Sequence, residues 1–148
     1  MPRSWKIDYA SGLETIDAQH MTLFAVLDDL NEVFRQGNVE EEVQRVLRFL
    51  VYYSEFHFED EERVFREAGV VDLADHIQEH RIFLGRVYDL YERWHAGERT
   101  VVPELVALGR TWLSNHIVAR DVPTAKSVAA WRDRQRAVLP DEASSERS

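Results

Sequence analysis

The 148-residue sequence contains no cysteine. That excludes a disulfide scaffold, an iron–sulfur cluster, a thiolate zinc site and a cysteine nucleophile. Basic charge is short: 18 Lys and Arg stand against 27 Asp and Glu, for a net charge of −9. Nucleic-acid binding is not expected, because neutralising phosphates needs clustered cations. No apolar run approaches the ~18 residues that span a bilayer, so membrane insertion is not expected either. The N-terminal residues Met1–Lys6 lack the apolar stretch of a signal peptide, and a cytoplasmic location is the expectation. Glycine and proline are scarce, at 6 and 4, which leaves long uninterrupted segments between them. What is present is ordinary for a globular chain, 45% apolar and 30% charged. The length suits one domain whose core needs no covalent or metal staple.

Between the glycines the apolar residues recur with a helical period. Roughly 17–36 carries Met21, Phe24, Leu27, Leu30, Val33 and Phe34 on one stripe, and Gly37 stops it. Roughly 39–68 carries Val43, Val46, Leu47, Leu50, Val51, Ser54, Phe58 and Phe65, and Gly69 ends it. Asn38 with Glu41 three residues on reads as its capping box. The third segment follows Asp72 and runs to about Ala96, with Gly97 beyond. Its stripe is Leu73, Ile77, Phe83, Leu84, Val87, Leu90, Tyr91 and Trp94. The fourth is roughly 102–121, with Pro103 tolerated in the first turn. Long amphipathic helices with short connections predict an all-α, up-down-up-down antiparallel four-helix bundle. Residues 1–16 read as an extended arm that packs Trp5, Ile7, Tyr9 and Leu13 on the bundle. The segment 124–139, with Val128, Trp131 and Val138, is a candidate short fifth helix. The bundle domain is thus expected over 1–139, with 140–148 a polar, disordered tail.

The chemistry lies in the histidines. His57 and Glu61, and His76 and His80, are each four residues apart on a helix, a spacing that projects both side chains from one face. In an up-down-up-down bundle the start of helix one, the end of two, the start of three and the end of four all lie at one end. His20, His57, Glu61, His76, His80, His116 and Asp121 therefore converge there, on or beside the apolar stripes. So many buried ionisable groups are prohibitively costly unless a metal compensates them. Two octahedral ions offer twelve positions; five imidazoles, two bridging carboxylates and one shared solvent oxygen leave one open. Helix pairing divides the imidazoles unequally, His76, His80 and His116 on one ion and His20 and His57 on the other. Imidazole and carboxylate without thiolate suit iron, manganese, zinc or copper. His95 lies outside this set and closes the third helix, where a cationic ring is favoured by the dipole. The acidic run Glu59-Asp60-Glu61-Glu62 cannot wrap one calcium ion from mid-helix. Only Glu61 shares the His57 face, and the others read as solvated surface.

A His after Ile16-Asp17-Ala18-Gln19, then His57-x-x-x-Glu61, His76-x-x-x-His80 and His116-x-x-x-x-Asp121, resembles the pattern of the hemerythrin family, specifically its single-domain bacterial members. The likeness covers about residues 5–121. It implies two non-haem iron ions bridged by Glu61, Asp121 and an oxo or hydroxo group. It implies reversible dioxygen binding at the iron held by His20 and His57, in a pocket lined by Leu23, Phe58, Trp112 and Leu113. Oxygen storage, delivery or scavenging follows as the leading expectation, and enzymatic turnover does not. Two alternatives stay open. One is an oxygen or redox sensing module, which would need a separate partner protein and offers the segment with Trp131 for docking. The other is a di-iron enzyme such as a peroxidase or nitric oxide reductase.

One spacing conflicts with a regular helix. Five residues turn through ~500°, so His116 and Asp121 would diverge by ~140°. A π-type widening or a helix end at Asp121 would each reconcile them. Pro123 favours the helix end, since proline disfavours helical geometry before it and cannot donate a hydrogen bond.

Overall fold

The computed structural model describes residues 2–37 and 40–138, and among these there is no strand. Five α-helices follow in chain order: α1 Glu14–Arg35, α2 Glu40–Glu67, α3 Leu73–His95, α4 Val101–His116 and α5 Val122–Val138. A five-residue π turn, Ile117–Asp121, joins α4 to α5. The first helix packs on α2 and α4, and α3 packs on the same two. That pairing closes an up-down-up-down antiparallel four-helix bundle. Left-handed glycines end the first three helices, and at Gly97 the turn is tied by Gly97 N–H to the Trp94 carbonyl and Glu98 N–H to that of Arg93.

The core is layered. Leu23, Ser54, Phe83 and Leu113 lie one turn from His20, His57, His80 and His116, and Leu27, Leu50, Val87 and Gly109 lie one turn further. Numbers rise along α1 and α3 and fall along α2 and α4, as alternating helix directions require. These two layers, with Phe58 and Leu105, enclose a small apolar cavity. A second buried cluster lies apart from this core: Leu13, Ile16, Val64, Phe65, Ala125 and Val128. It joins the start of α1, the end of α2 and the inner face of α5.

Two expectations for the N-terminal arm are corrected. The arm is not extended throughout, since Ile7–Tyr9 forms a 3₁₀ turn and α1 begins at Glu14. That turn stacks Tyr9 on Phe24 at 5.3 Å between ring centres and sets Trp5 edge-on to Tyr9 at 5.5 Å, while Ile7 points outward, 82% exposed. The expected fifth helix is present as α5, which begins two residues earlier, at Val122, and continues from α4 through the π turn. Within it Val128 is buried, Trp131 half-buried and Val138 exposed. The Asn38 cap and the 140–148 tail lie outside the described residues.

Gly109 is required by close packing. A Cβ there would stand 2.9 Å from both methyl carbons of Leu27. Gly109→Val adds a branched side chain to that layer. It should lower stability by about 1–3 kcal/mol, read as a fall in the urea midpoint at unchanged slope.

Candidate metal centre

The π turn decides how the fourth helix contributes. It brings residues five apart into register, so His116 and Asp121 face the same side. The helix does not end at the proline, contrary to the preference read from the sequence. Val122 N–H reaches back to the Ile117 carbonyl, and Pro123 follows as the second residue of α5. A proline ring normally collides with the carbonyl four residues earlier, here that of Ala119. Widening that turn relieves the collision without stopping the helix.

His20, His57, Glu61, His76, His80, His116 and Asp121 are all buried, and the structure brings them together. They form two groups that share both carboxylates. In the first, His116 Nε2 lies 3.1 Å from His80 Nε2 and 3.1 Å from His76 Nε2. Glu61 Oε2 is 3.2 Å from His76 Nε2 and 3.1 Å from His80 Nε2. Asp121 Oδ1 is 2.9 Å from His76 Nε2 and 3.1 Å from His116 Nε2. The opposite oxygens serve the second group. Glu61 Oε1 lies 3.4 Å from His20 Nε2 and 3.7 Å from His57 Nε2, and Asp121 Oδ2 lies 3.1 Å from His20 Nε2.

These separations test whether an ion fits. A metal–imidazole bond of about 2.1 Å puts donors about 3.0 Å apart at right angles and about 3.4 Å apart in a tetrahedron. The first group matches the octahedral figure. The atoms left without hydrogen-bond partners point the same way. They include His20 Nε2, His57 Nε2, Glu61 Oε1 and Asp121 Oδ1, all fully buried. Orphaned buried donors and acceptors are rare and costly. Here they converge, and the cluster can hold metal ions.

The outer ring nitrogens are fixed by neighbours that sequence reasoning missed. His57 Nδ1–H donates to Gln19 Oε1 at 2.7 Å, and Gln19 Nε2 donates to Asp60 Oδ2 at 2.8 Å. His80 Nδ1–H donates to Glu62 Oε1 at 3.1 Å, and His116 Nδ1 lies 3.1 Å from Glu79 Oε2. Glu79 is held in turn by Arg120 at 2.7 Å. With the proton placed outside, Nε2 presents its lone pair inward, as a metal ligand must. Asp60 and Glu62 are therefore not plain solvated surface. These pairings cross between helices, so no spacing within one helix signals them. His95 is exposed at the end of α3, away from the cluster, with its ring edge-on to Tyr91.

Of the four residues expected around an oxygen pocket, Leu23, Phe58 and Leu113 line the enclosed apolar cavity one turn below the histidines. Phe58 also stacks on His80, ring centres 4.0 Å apart. Trp112 is placed differently. It stacks on His116 at 4.3 Å and on Phe83 at 4.1 Å, and it borders an open cleft beside Glu79 and Arg120.

Without metal, protons balance the centre. Burial pushes the His20 ring down, but the close carboxylates of Asp121 and Glu61, 3.1 and 3.4 Å away, override it and raise the pKa to about 9. His76 is raised to about 9 against its own burial by the same two carboxylates. Burial wins at His57, which falls to about 4. Burial also disfavours the charged carboxylates. The close imidazoles of His20, His76 and His80 nonetheless hold Glu61 well below its ordinary value, and those of His116, His20 and His76 do the same for Asp121. The two carboxylates thus favour protonated rings at His20 and His76, and His80 is raised in the same direction by Glu61 and Glu62. A ring whose folded pKa exceeds its unfolded value stabilises the fold below about 6.5 and loses that contribution as pH rises through the folded value. Chelated protein should therefore become less stable between pH 7 and 9.5, whereas metal-loaded protein should not. Loading should release at least two protons per chain into weakly buffered solution. Thermal melts and a pH-stat titration measure the two effects, and a flat melt profile for the chelated protein contradicts the proton balance.

The comparisons with known proteins agree with this site. The model of the hemerythrin HHE cation binding domain matches residues 11–121. A bacteriohemerythrin of Methylococcus capsulatus is 33% identical over 110 residues, covering 74% of this chain and 83% of its own. A hemerythrin subunit beta of Lingula reevii is 32% identical over 123 residues, covering 81% and 90%. A crystal structure of wild-type hemerythrin superposes with a TM-score of 0.74 at 28% identity, over 84% of this chain and 95% of that one. With the family model spanning three-quarters of its length, the chain belongs to the hemerythrin family.

Proposed function

We propose that the chain holds two non-haem iron ions and binds dioxygen reversibly, for storage, delivery or scavenging. His76, His80 and His116 would hold one ion, His20 and His57 the other, with Glu61 and Asp121 bridging. The observation that carries the reading is the pair of carboxylates that both groups share: Glu61 presents one oxygen to His76 and His80 and the other to His20 and His57, and Asp121 presents one to His76 and His116 and the other to His20. When bound, an iron pair supplies electrons that can pass to dioxygen and return.

The protein's residues make that exchange reversible. Three imidazoles would hold one ion and two the other, so that an exchangeable position would fall on the side of His20 and His57. Leu23, Phe58 and Leu113 wall the site from below and withhold water and protons. The Leu13–Val128 cluster closes it from above. Among the described residues, the seven that form the cluster are the buried acidic and imidazole side chains, which limits the proton donors near a bound ligand. Among the described residues no helix is long and apolar enough to cross a membrane.

Two experiments test the reading. Metal analysis should give two iron ions per chain. Absorption spectra of reduced, oxygenated and again deoxygenated protein should show a charge-transfer band that appears and disappears with oxygen. One ion per chain, or a spectrum indifferent to oxygen, refutes it. A band consumed by turnover of an added reductant points to an enzyme instead.

Substitutions separate bridging from positioning. Glu61→Ala should abolish the coupled pair while the helices stay folded. Glu62→Ala and Glu79→Ala should each weaken metal retention about 10–100-fold, because each removes the partner that orients an imidazole. Glu59→Ala, one residue from Asp60 but exposed, should retain metal as the wild type does. Competition with a chelator ranks the four.

A further inference from the structure

The second helix carries a face that no part of the bundle covers. Phe49, Tyr52 and Phe56 are 49%, 69% and 53% exposed. They follow one another at steps of three and four, the spacing of a helix-pairing seam. Tyr53 backs them, stacked on Phe49 at 5.6 Å and tilted against Phe56 at 5.7 Å. Isolated exposed apolar residues are commonplace, whereas a contiguous aromatic stripe marks an interaction surface.

The charges along the stripe indicate what covers it. Exposed residues on this face run Glu41, Arg45, Arg48, then the aromatic group, then Glu59 and Arg63. In order these are negative, positive, aromatic, negative, positive. Reversed, the order places every charge opposite its complement. With a two-fold axis at Tyr52, Arg45 faces Glu59 of the second copy and Glu41 faces its Arg63, while Arg48 lies over its Phe56 as a cation on an aromatic ring. Each contact occurs twice, as an isologous interface requires. Arg63 already pairs with Asp60 and Glu67 within its own chain. Arg45, Arg48 and Glu59 form no ion pair with the described residues. We propose that this face of α2 pairs antiparallel with the same face of a second copy of the chain, about a two-fold axis near Tyr52.

The metal-loaded full chain is the sample, and sedimentation equilibrium between about 1 µM and 1 mM is the measurement. The mass should rise towards two chains. Phe56→Glu should leave a monomer. Arg45→Glu and Glu59→Arg should each weaken association at least tenfold, because each sets like charges face to face twice. An equimolar mixture of those two variants should recover association, since each then meets its complement. Far-UV circular dichroism confirms that the variants are folded, and the two charge variants keep the test decisive if Phe56→Glu is not. A monomer across the whole range overturns the proposal, as does a partner of another kind occupying the face of a monomeric chain. A dimer indifferent to Phe56→Glu, or variants that mixing does not rescue, overturns it equally.

Discussion

Glu61 and Asp121 hold the bundle to one geometry. Each is buried, and each divides its two oxygens between imidazoles that come from different helices. A buried carboxylate left uncompensated costs several kcal/mol. Compensation here requires α1, α2, α3 and the α4–α5 junction to bring their histidines to the same height. Helix register is therefore fixed by charge at this end and by apolar packing along the rest. The π turn is the local adjustment that lets the fourth helix comply. Glu61 and His76 sit four residues from His57 and His80, whereas Asp121 sits five from His116. Only a widened turn reaches the same level.

The same turn determines what lies above the site. Had the chain stopped at Asp121, the carboxylate would have met solvent. Continuing through Val122 and Pro123 carries α5 across the open end, where Ala125 and Val128 pack on Ile16, Val64 and Phe65. Phe65 is in edge contact with His76 at 5.2 Å. The polar cluster is thus held between two apolar ones. Low dielectric on both sides strengthens each interaction within it, and makes each unsatisfied group there more costly.

Periodicity within one helix was legible in the sequence, and contact between helices was less so. The four stripes, the terminating glycines and the one-face spacings of His57 with Glu61 and His76 with His80 follow from the chain alone. Antiparallel alternation then brings all seven polar residues to one end. Pro123 misled because its penalty was assigned to a regular turn, and the wider turn escapes it. Gln19, Glu62 and Glu79 had no local signal, since each meets a histidine on another helix. Ile7 and Tyr9 carry similar apolar bodies, and only the 3₁₀ turn decides that Tyr9 packs inward and Ile7 outward. Trp112 lies on the apolar stripe of α4, yet that stripe is wide enough to reach both the cavity and the flank of His116.

The outer partners also make the two halves of the centre chemically unequal. His80 donates to the Glu62 carboxylate, and the outer nitrogen of His116 lies against the Glu79 carboxylate. His57 donates to the neutral amide of Gln19, and His20 Nδ1 has no partner. A carboxylate accepting the outer proton makes an imidazole a stronger donor than an amide does. The three-imidazole group is therefore the richer in number of donors, and two of its three rings, His80 and His116, are strengthened by a carboxylate. An ion between His20 and His57 would have fewer and weaker donors, and so would keep more affinity for a further ligand. The asymmetry counted from five histidines is reinforced by neighbours on other helices, and both effects favour the same side of the centre for exchange.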